Sequence, residues 1–475
     1  MRRGSVIGPL ILIGIGVLFL LRNVWPDIPV MDILSRYWPF LLIAWGAIRL
    51  VEILLWTVQS KPIPRSGISG GEWALIIILC LIGGGIHTAR QYADRFPAMR
   101  AWRGFVVNMG ENYDYPLPQV ETPCGKNCRV LIESFRGNAR IVGTSDAGVK
   151  ASGHESVRSF QQRDADKANQ QTPLELVRQG DAIVVRTNQD RVSDAMRVTS
   201  DLEITVPMEA SVEAHGRLGD VDIQNVNGNV DIASDNAGVR LENIGGEARI
   251  DLRRSDLVRA INVKGKIELK GRGQDVELQN ISGAVTVDGT YTGQVQLKNL
   301  AQQFRYQDPR ITVRFENLPG QARMATGEFT ANNVTGPLVL NGRSRDVRIA
   351  GFAQPVEVAL DRGDVELRPG KSVPKMDVRT RSGDIELALP PGAKFDLKAS
   401  TDRGEARNEY GEPLKVNQEN RGATIVGASG GGPEVRLMTD RGSIRVRKSS
   451  AEEAEFPAFP SLPTSPSQSL KVERQ

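Results

Sequence analysis

The chain has 475 residues, room for more than one domain, with 60 Lys and Arg against 56 Asp and Glu and a formal net charge of +4. That balance gives no electrostatic drive toward nucleic acid, and no nucleic-acid partner is expected. Aromatic residues make up only 5%, and all six tryptophans (Trp25, Trp38, Trp45, Trp56, Trp73 and Trp102) lie at or before position 102, which marks a boundary near residue 103.

Residues 1–88 read as a transmembrane region of two to three α-helices. After Met1-Arg2-Arg3 comes an apolar run over 6–21. A second covers 38–48 and resumes past Arg49 and Glu52 to Trp56, and a third covers 73–86. A bilayer crossing takes about 20 residues. The first two runs reach that with their flanks, and the third needs 70–89. The other reading of the first run is a cleaved signal peptide, but no small-residue cleavage site follows it and a further apolar run does. The tryptophans fall at or near the run ends, where an interfacial belt would place them. Arg49 and Glu52 are three apart on one helix face, so they can pair near the head groups or form an intramembrane polar contact with a partner helix. Gly14 and Gly16 would let such a helix approach closely.

The stretches RRGSVIGPLILIGIGVLFLLRN (2–23) and RYWPFLLIAWGAIRLVEILL (36–55) share a basic start, Gly8-Pro9-Leu10 and Tyr37-Trp38-Pro39. In these the chain resembles the LiaI/LiaF-like transmembrane region of bacterial envelope proteins. The resemblance implies an inner-membrane module, linked in some relatives to regulation of envelope-stress signalling. With three spans and Arg2 and Arg3 inside, Lys61 and Arg65 also lie inside and the remainder of the chain is periplasmic, which is the expectation. If the third run does not span, Arg90, Arg95, Arg100 and Arg103 fit a cytoplasmic placement.

Residues 89–122 read as a polar, proline-bearing linker. Cys124 and Cys128 bracket Gly125-Lys126-Asn127, and they can close a disulfide in an oxidising compartment or stand as two thiols. Cys80, His87, His154 and His215 are scattered singly, so no metal site is expected. VLIESFRGNARI (130–141) has the form of the later repeats, with Ser134 in their asparagine place. An insert of about 152–200 follows. Residues 155–169 suit a short helix, and 174–185 a hairpin turning at Gln179-Gly180-Asp181. Leu202, Ile204 and Val206 then alternate as a strand up to Pro207. The insert is expected to cap the first coil, because an open stack end exposes unpaired backbone.

From 219 to 369 one phrase returns: VDIQNVNGNVDI (221–232), VRLENIGGEARI (239–250), VELQNISGAVTV (276–287). Its asparagine recurs as Asn225, Asn243, Asn262, Asn280, Asn299, Asn317 and Asn333, and Gly351 and Pro369 keep the beat. A fixed period near 18 predicts a mainly β fold, a parallel β-solenoid or β-helix spanning 123–448. Val221 and Ile223 share one parity with Asn225, while Val226, Val230 and Ile232 share the other, so the chain must turn a corner at the asparagine. Asparagine tolerates left-handed backbone angles, and stacked copies can bond side chain to side chain as a ladder. Gly228, Gly246, Gly265, Gly283, Gly320 and Gly336 follow three residues later. A helical repeat does not fit the sustained β-branched period of two. Beyond Pro369 the spacing loosens, although GDVEL (363–367), GDIEL (383–387) and DRGSIRV (440–446) keep the strand signature. The tail 449–475 reads as disordered. The order of parts over 129–448 resembles the "putative adhesin" β-strand-repeat family of bacteria, which implies a parallel β-solenoid on the envelope and brings no catalytic residues.

The sequence offers no catalytic, cofactor-binding or metal-binding constellation. Gly245-Gly246 and Gly430-Gly431-Gly432 lack the lysine of a phosphate loop. Asp220, Asp222, Asp231 and Asp235 invite a calcium reading, but no nonapeptide glycine pair recurs, and Asp222 and Asp231 sit at outward positions. Tyr291, Tyr306 and Tyr410 are too scattered for a sugar platform. The expected protein is non-catalytic, without cofactor, membrane-integral and able to meet membrane partner proteins, at work in envelope-stress sensing, regulation or scaffolding. The alternatives are a surface adhesin and, less favoured, a carbohydrate-active β-helix enzyme. The sequence names no external ligand.

Overall fold

A computed structural model describes residues 110–125, 128–192, 197–450 and 456, together with 40, 43, 46, 47, 50, 51 and 77 in the N-terminal region. Among the described residues no helix is long and apolar enough to cross a membrane. These residues are mainly β, with 31 strands and the α-helix Gln162–Gln171, and those of the N-terminal region are helical. The chain divides into two compact units: Met1–Pro118, Gly153–Pro173 and Thr187–Ser200 form the first, and Gln119–Ser152, Leu174–Arg186 and Asp201–Gln475 the second.

The second unit is built by stacking. Val221 pairs in parallel with Val239, Val239 with Val258, Val258 with Val276 and Val276 with Val295, each 18 or 19 residues on. On the facing side Val212 pairs with Val230, Val230 with Ala248, Ala248 with Ile267, Ile267 with Val285 and Val285 with Phe304. Every one of these side chains is buried, so the core is a column of β-branched and aliphatic groups between the two faces. The period of two puts the intervening residues outside: Asp231, Arg249, Glu268, Thr286 and Arg305 occupy one outward row.

The glycine after each corner is fixed by close approach. A Cβ on Gly246, Gly265 or Gly283 would lie 2.4, 2.1 or 2.2 Å from the carbonyl oxygen of the glycine one coil earlier. Only hydrogen fits between coils at that corner.

Two features depart from a simple spiral. First, one coil runs backwards. Ile311–Phe315 pairs antiparallel with Phe304–Asp308 before it and Leu338–Ser344 after it. Leu318–Ala325 does the same between Val295–Leu300 and Glu328–Asn332. Parallel stacking then resumes, Glu328–Asn332 on Asp346–Phe352 and Leu338–Ser344 on Val356–Arg362. Second, the ends are threaded. Arg129–Arg136 lies between Ala182–Arg186 and Ser211–Leu218. Likewise Glu434–Arg441 lies between Met376–Thr380 and Phe395–Arg403, with Ala423–Ser429 and Lys415–Gln418 beyond.

In the first unit the helix is Gln162–Gln171, which buries Ala165 and Ala168 against Val157, Val192 and Val198, with Tyr113 and Tyr115 alongside. Two expectations change here. Residues 155–159 belong to the strand Gly148–Ser159 rather than to the helix, because Glu155, Val157 and Ser159 continue its inward alternation. Part of the expected linker, Glu111–Pro123, is a 13-residue strand whose alternating polarity tolerates its prolines. The hairpin, which belongs to the second unit, is Glu175–Gln179 against Ala182–Arg186, turning through Gly180 at φ 63°.

Candidate functional site

The asparagine corner has a defined geometry. Asn225, Asn243, Asn262, Asn280 and Asn299 hold φ between 52° and 58°, the left-handed region that turns the chain through the corner. Their side chains link coil to coil. The Nδ2 of Asn243 donates to Oδ1 of Asn225 at 2.9 Å, Asn262 to Asn243 at 3.0 Å, Asn280 to Asn262 at 2.9 Å and Asn299 to Asn280 at 2.9 Å. Asn317 departs from the expected series. It sits in the reversed coil, between strands paired antiparallel, so its corner is traversed in the opposite sense. It is absent from the positive-φ positions, bridges Thr335 antiparallel, and its Oδ1 is buried without a hydrogen-bond partner. Asn333 regains φ 55° where parallel stacking resumes, and Gly351 follows at 69°.

Cys124 and Cys128 are joined by a disulfide. The same turn is tied down by the Cys124 amide donating to the Ala147 carbonyl at 2.9 Å. Arg49, Glu52, Cys80 and His87 lie outside the described residues.

The outward charges of the stack are largely spent on one another. Asp220 takes Arg240 at 3.1 Å and the Gly238 amide at 3.0 Å. Asp231 faces Arg249 at 3.7 Å, Asp235 faces Arg253 at 3.3 Å, and Asp222 accepts from Gln224. The four aspartates of the calcium reading thus point at protein donors, each in its own place on the stack. A shallow depression lined by Asn229, Asp231, Glu247, Arg249, Lys266 and Glu268 follows the same rule. Lys266 and Arg249 both meet Glu268, and the hydrogen bond from Lys266 holds its carboxyl below the usual range. Tyr291, Tyr306 and Tyr410 are buried in the core rather than displayed.

The first unit holds a buried polar cluster. Glu155 is 0% exposed. Thr172 Oγ1 donates to its Oε1 at 2.5 Å, and Ser200 Oγ donates to its Oε2 at 3.3 Å. Gln189 Nε2 donates in turn to Ser200 Oγ at 2.8 Å. Burial raises the carboxyl from 4.5 to about 7, against the pull of the two hydroxyls, so the group exchanges a proton near neutrality. Nearby, Tyr115 donates its hydroxyl to Asp166 at 2.7 Å. The signal for Glu155 was in the sequence: Val149, Ala151 and Val157 share its parity, which marks an inward glutamate. Reading 155–169 as a helix hid it.

These features define a class, a repeat protein of stacked β-coils with corner ladders and threaded ends. The chain belongs to the Toastrack DUF4097 family, whose model matches residues 161–447. Residues 7–91 match the LiaF transmembrane domain, so the chain carries that module followed by the Toastrack domain. No curated protein matches the chain. Among solved structures, that of a putative cell adhesion protein from Clostridium sporogenes ATCC 15579 matches with 10% identity and a TM-score of 0.15, over 70% of this chain and 100% of that one.

Proposed function

We propose that this is a non-catalytic, membrane-anchored protein of the bacterial envelope that works in envelope-stress sensing or as a scaffold. In this reading residues 1–88 form two to three helices in the inner membrane. Residues 123–448 form a β-solenoid on its outer side. The observation that carries the reading is the presence of a LiaF transmembrane match and a Toastrack domain on one chain. Physical details support it. The helical residues Phe40, Ile43 and Leu50 are 62%, 65% and 63% exposed, which is apolar surface that a bilayer would cover. The Cys124–Cys128 bond suits the oxidising side of the membrane. The outward carboxylates and guanidinium groups already hold each other in ion pairs, so the stack presents a wide, internally neutralised surface rather than a reactive cleft.

The test is a transcriptional reporter of the envelope-stress response, read in cells with and without the chain during titration with a membrane-active peptide. The expected result is a shift in the dose that triggers the response, restored by the full chain and lost when residues 1–88 are replaced by an unrelated anchor. An unshifted dose, together with lost attachment of the cells to a surface, would replace this reading with the adhesin one.

A further inference from the structure

The outward row 332–350–368 is covered rather than open to solvent. Asn332 pairs with Ala350, and Ala350 with Arg368, across three adjacent strands. All three stand at outward parity, since Ala331 and Ile349 beside them fill the core. Yet Asn332 is 2% exposed and Ala350 0%. The residue that lies on this row is Phe456, from the far end of the chain.

The contact is specific in two ways. Asn332 reads backbone: its Nδ2 donates to the Phe456 carbonyl at 2.8 Å, and its Oδ1 accepts from the Phe456 amide at 3.1 Å. One side-chain amide thereby satisfies both polar groups of a residue, as a neighbouring strand would. Arg368 reads the side chain: its guanidinium lies 4.4 Å from the centroid of the Phe456 ring. Glu366 holds that guanidinium in place, accepting from Nε at 2.8 Å. Ala350, the small residue between them, leaves a floor on which a ring can lie. The ligand segment suits the site as well. Pro457 biases Phe456 toward the extended backbone that a bidentate amide requires.

We propose that Asn332, Ala350 and Arg368 form a docking site for an extended aromatic–proline segment, and that the chain's own Phe456 fills it in cis as a latch on the C-terminal tail. A soluble segment of the same chemistry then binds the stack only by displacing the tail.

The test uses the full chain in detergent and a glutamyl endopeptidase, whose cleavage sites at Glu452, Glu453 and Glu455 adjoin the latch. Cleavage there follows the population of the undocked tail. Phe456→Ala removes the ring and Asn332→Ala the amide, and each should speed cleavage by about tenfold or more with unchanged unfolding of the stack. Phe456 lies outside the core column, so its variant reports even if Asn332→Ala weakens the fold. A synthetic peptide covering 451–458, which carries a single Phe-Pro and has its three glutamates replaced by glutamine so that the protease does not cut it, should accelerate cleavage of the chain's own tail when added in excess, and the same peptide with Phe456→Ala should not. Cleavage unchanged by Phe456→Ala would overturn the latch. Acceleration by both peptides alike, or by neither, would overturn the docking site.

Discussion

Replacing Asn262, the middle rung of the ladder, separates its two roles. Its φ is 57°, it donates to Asn243 at 3.0 Å and it accepts from Asn280 at 2.9 Å. Alanine loses both bonds and must hold a left-handed backbone that costs an L-residue roughly 1–2 kcal/mol. Each solvent-exposed bond adds about 0.5 kcal/mol, the low end of the usual range. Asn262→Ala should therefore destabilise by about 2–3 kcal/mol. Asn262→Gly loses the bonds but not the backbone tolerance, and should cost about 1 kcal/mol less than alanine. Asn262→Asp keeps the acceptor for Asn280 but turns a lone pair toward Asn243 Oδ1. Its deficit should shrink below pH ~4, where the protonated acid can donate. The assay is urea unfolding of the full chain in detergent, followed by far-ultraviolet circular dichroism. Equal losses for alanine and glycine would refute the backbone argument, and an aspartate variant as stable as wild type at pH 7 would refute the ladder.

The remaining predictions test packing, protonation and topology. Val285→Lys, which places an ammonium in the core between Ile267 and Phe304, should lose ~1.5–3 kcal/mol of apolar burial plus the penalty of an unpaired charge. Thr286→Lys, one residue on and beside Glu268, should be nearly silent in the same melt; equal losses would mean that the register is wrong. Glu155 binds its proton more tightly folded than unfolded, so it favours the folded first unit fully below pH 4.5, and that advantage is lost as pH rises through about 7. Hydrogen exchange of Gln162–Gln171 should accordingly reveal a less stable helix at pH 8 than at pH 5, once intrinsic rates are divided out, and Glu155→Gln should flatten the difference. A reporter active only in the periplasm, fused after Arg447, should be active, whereas activity of a cytoplasm-only reporter there would reverse the proposed topology.

The stack was legible because its determinants are local and repeated. A β-branched period of two, a left-handed asparagine and a small residue at the corner recur every 18 or 19 residues, and they specify both what faces in and where the chain turns. Asn317 shows the limit of that reading. Its spacing from Asn299 is 18, the same as true rungs, yet its coil runs the other way. Direction is set by the tight turn near Asp308, whose Oδ1 accepts from the Arg310 amide at 2.7 Å; the period records only a shortened interval of 16 from Asn317 to Asn333, which does not specify a direction. Phe456 shows another limit. A tail rich in proline and serine has the composition of an unfolded segment, and it is the distant Asn332 and Arg368 that give Phe456 its place. Glu155 was hidden differently, by helix-like polarity overlying a strand alternation.

The threaded ends bear on mechanics. In a plain spiral the terminal coil is outermost, and a pull on the chain end peels it away one hydrogen bond at a time. Here the last coil, Glu434–Lys448, is held on both sides: Val435 by Met376 and Leu397, and Ile444 by Ile385 and Ala406. Arg447 also bridges to Glu386 at 2.6 Å, and Arg445 to Glu409 at 3.5 Å. At the other end Val130 is likewise held between Ile183 and Val212. Tension applied at either end of the stack loads two ladders at once and in shear, so the bonds must fail together. A chain fixed in a membrane at one end and pulled at the other would carry force through these inner coils while the outer ones stay slack.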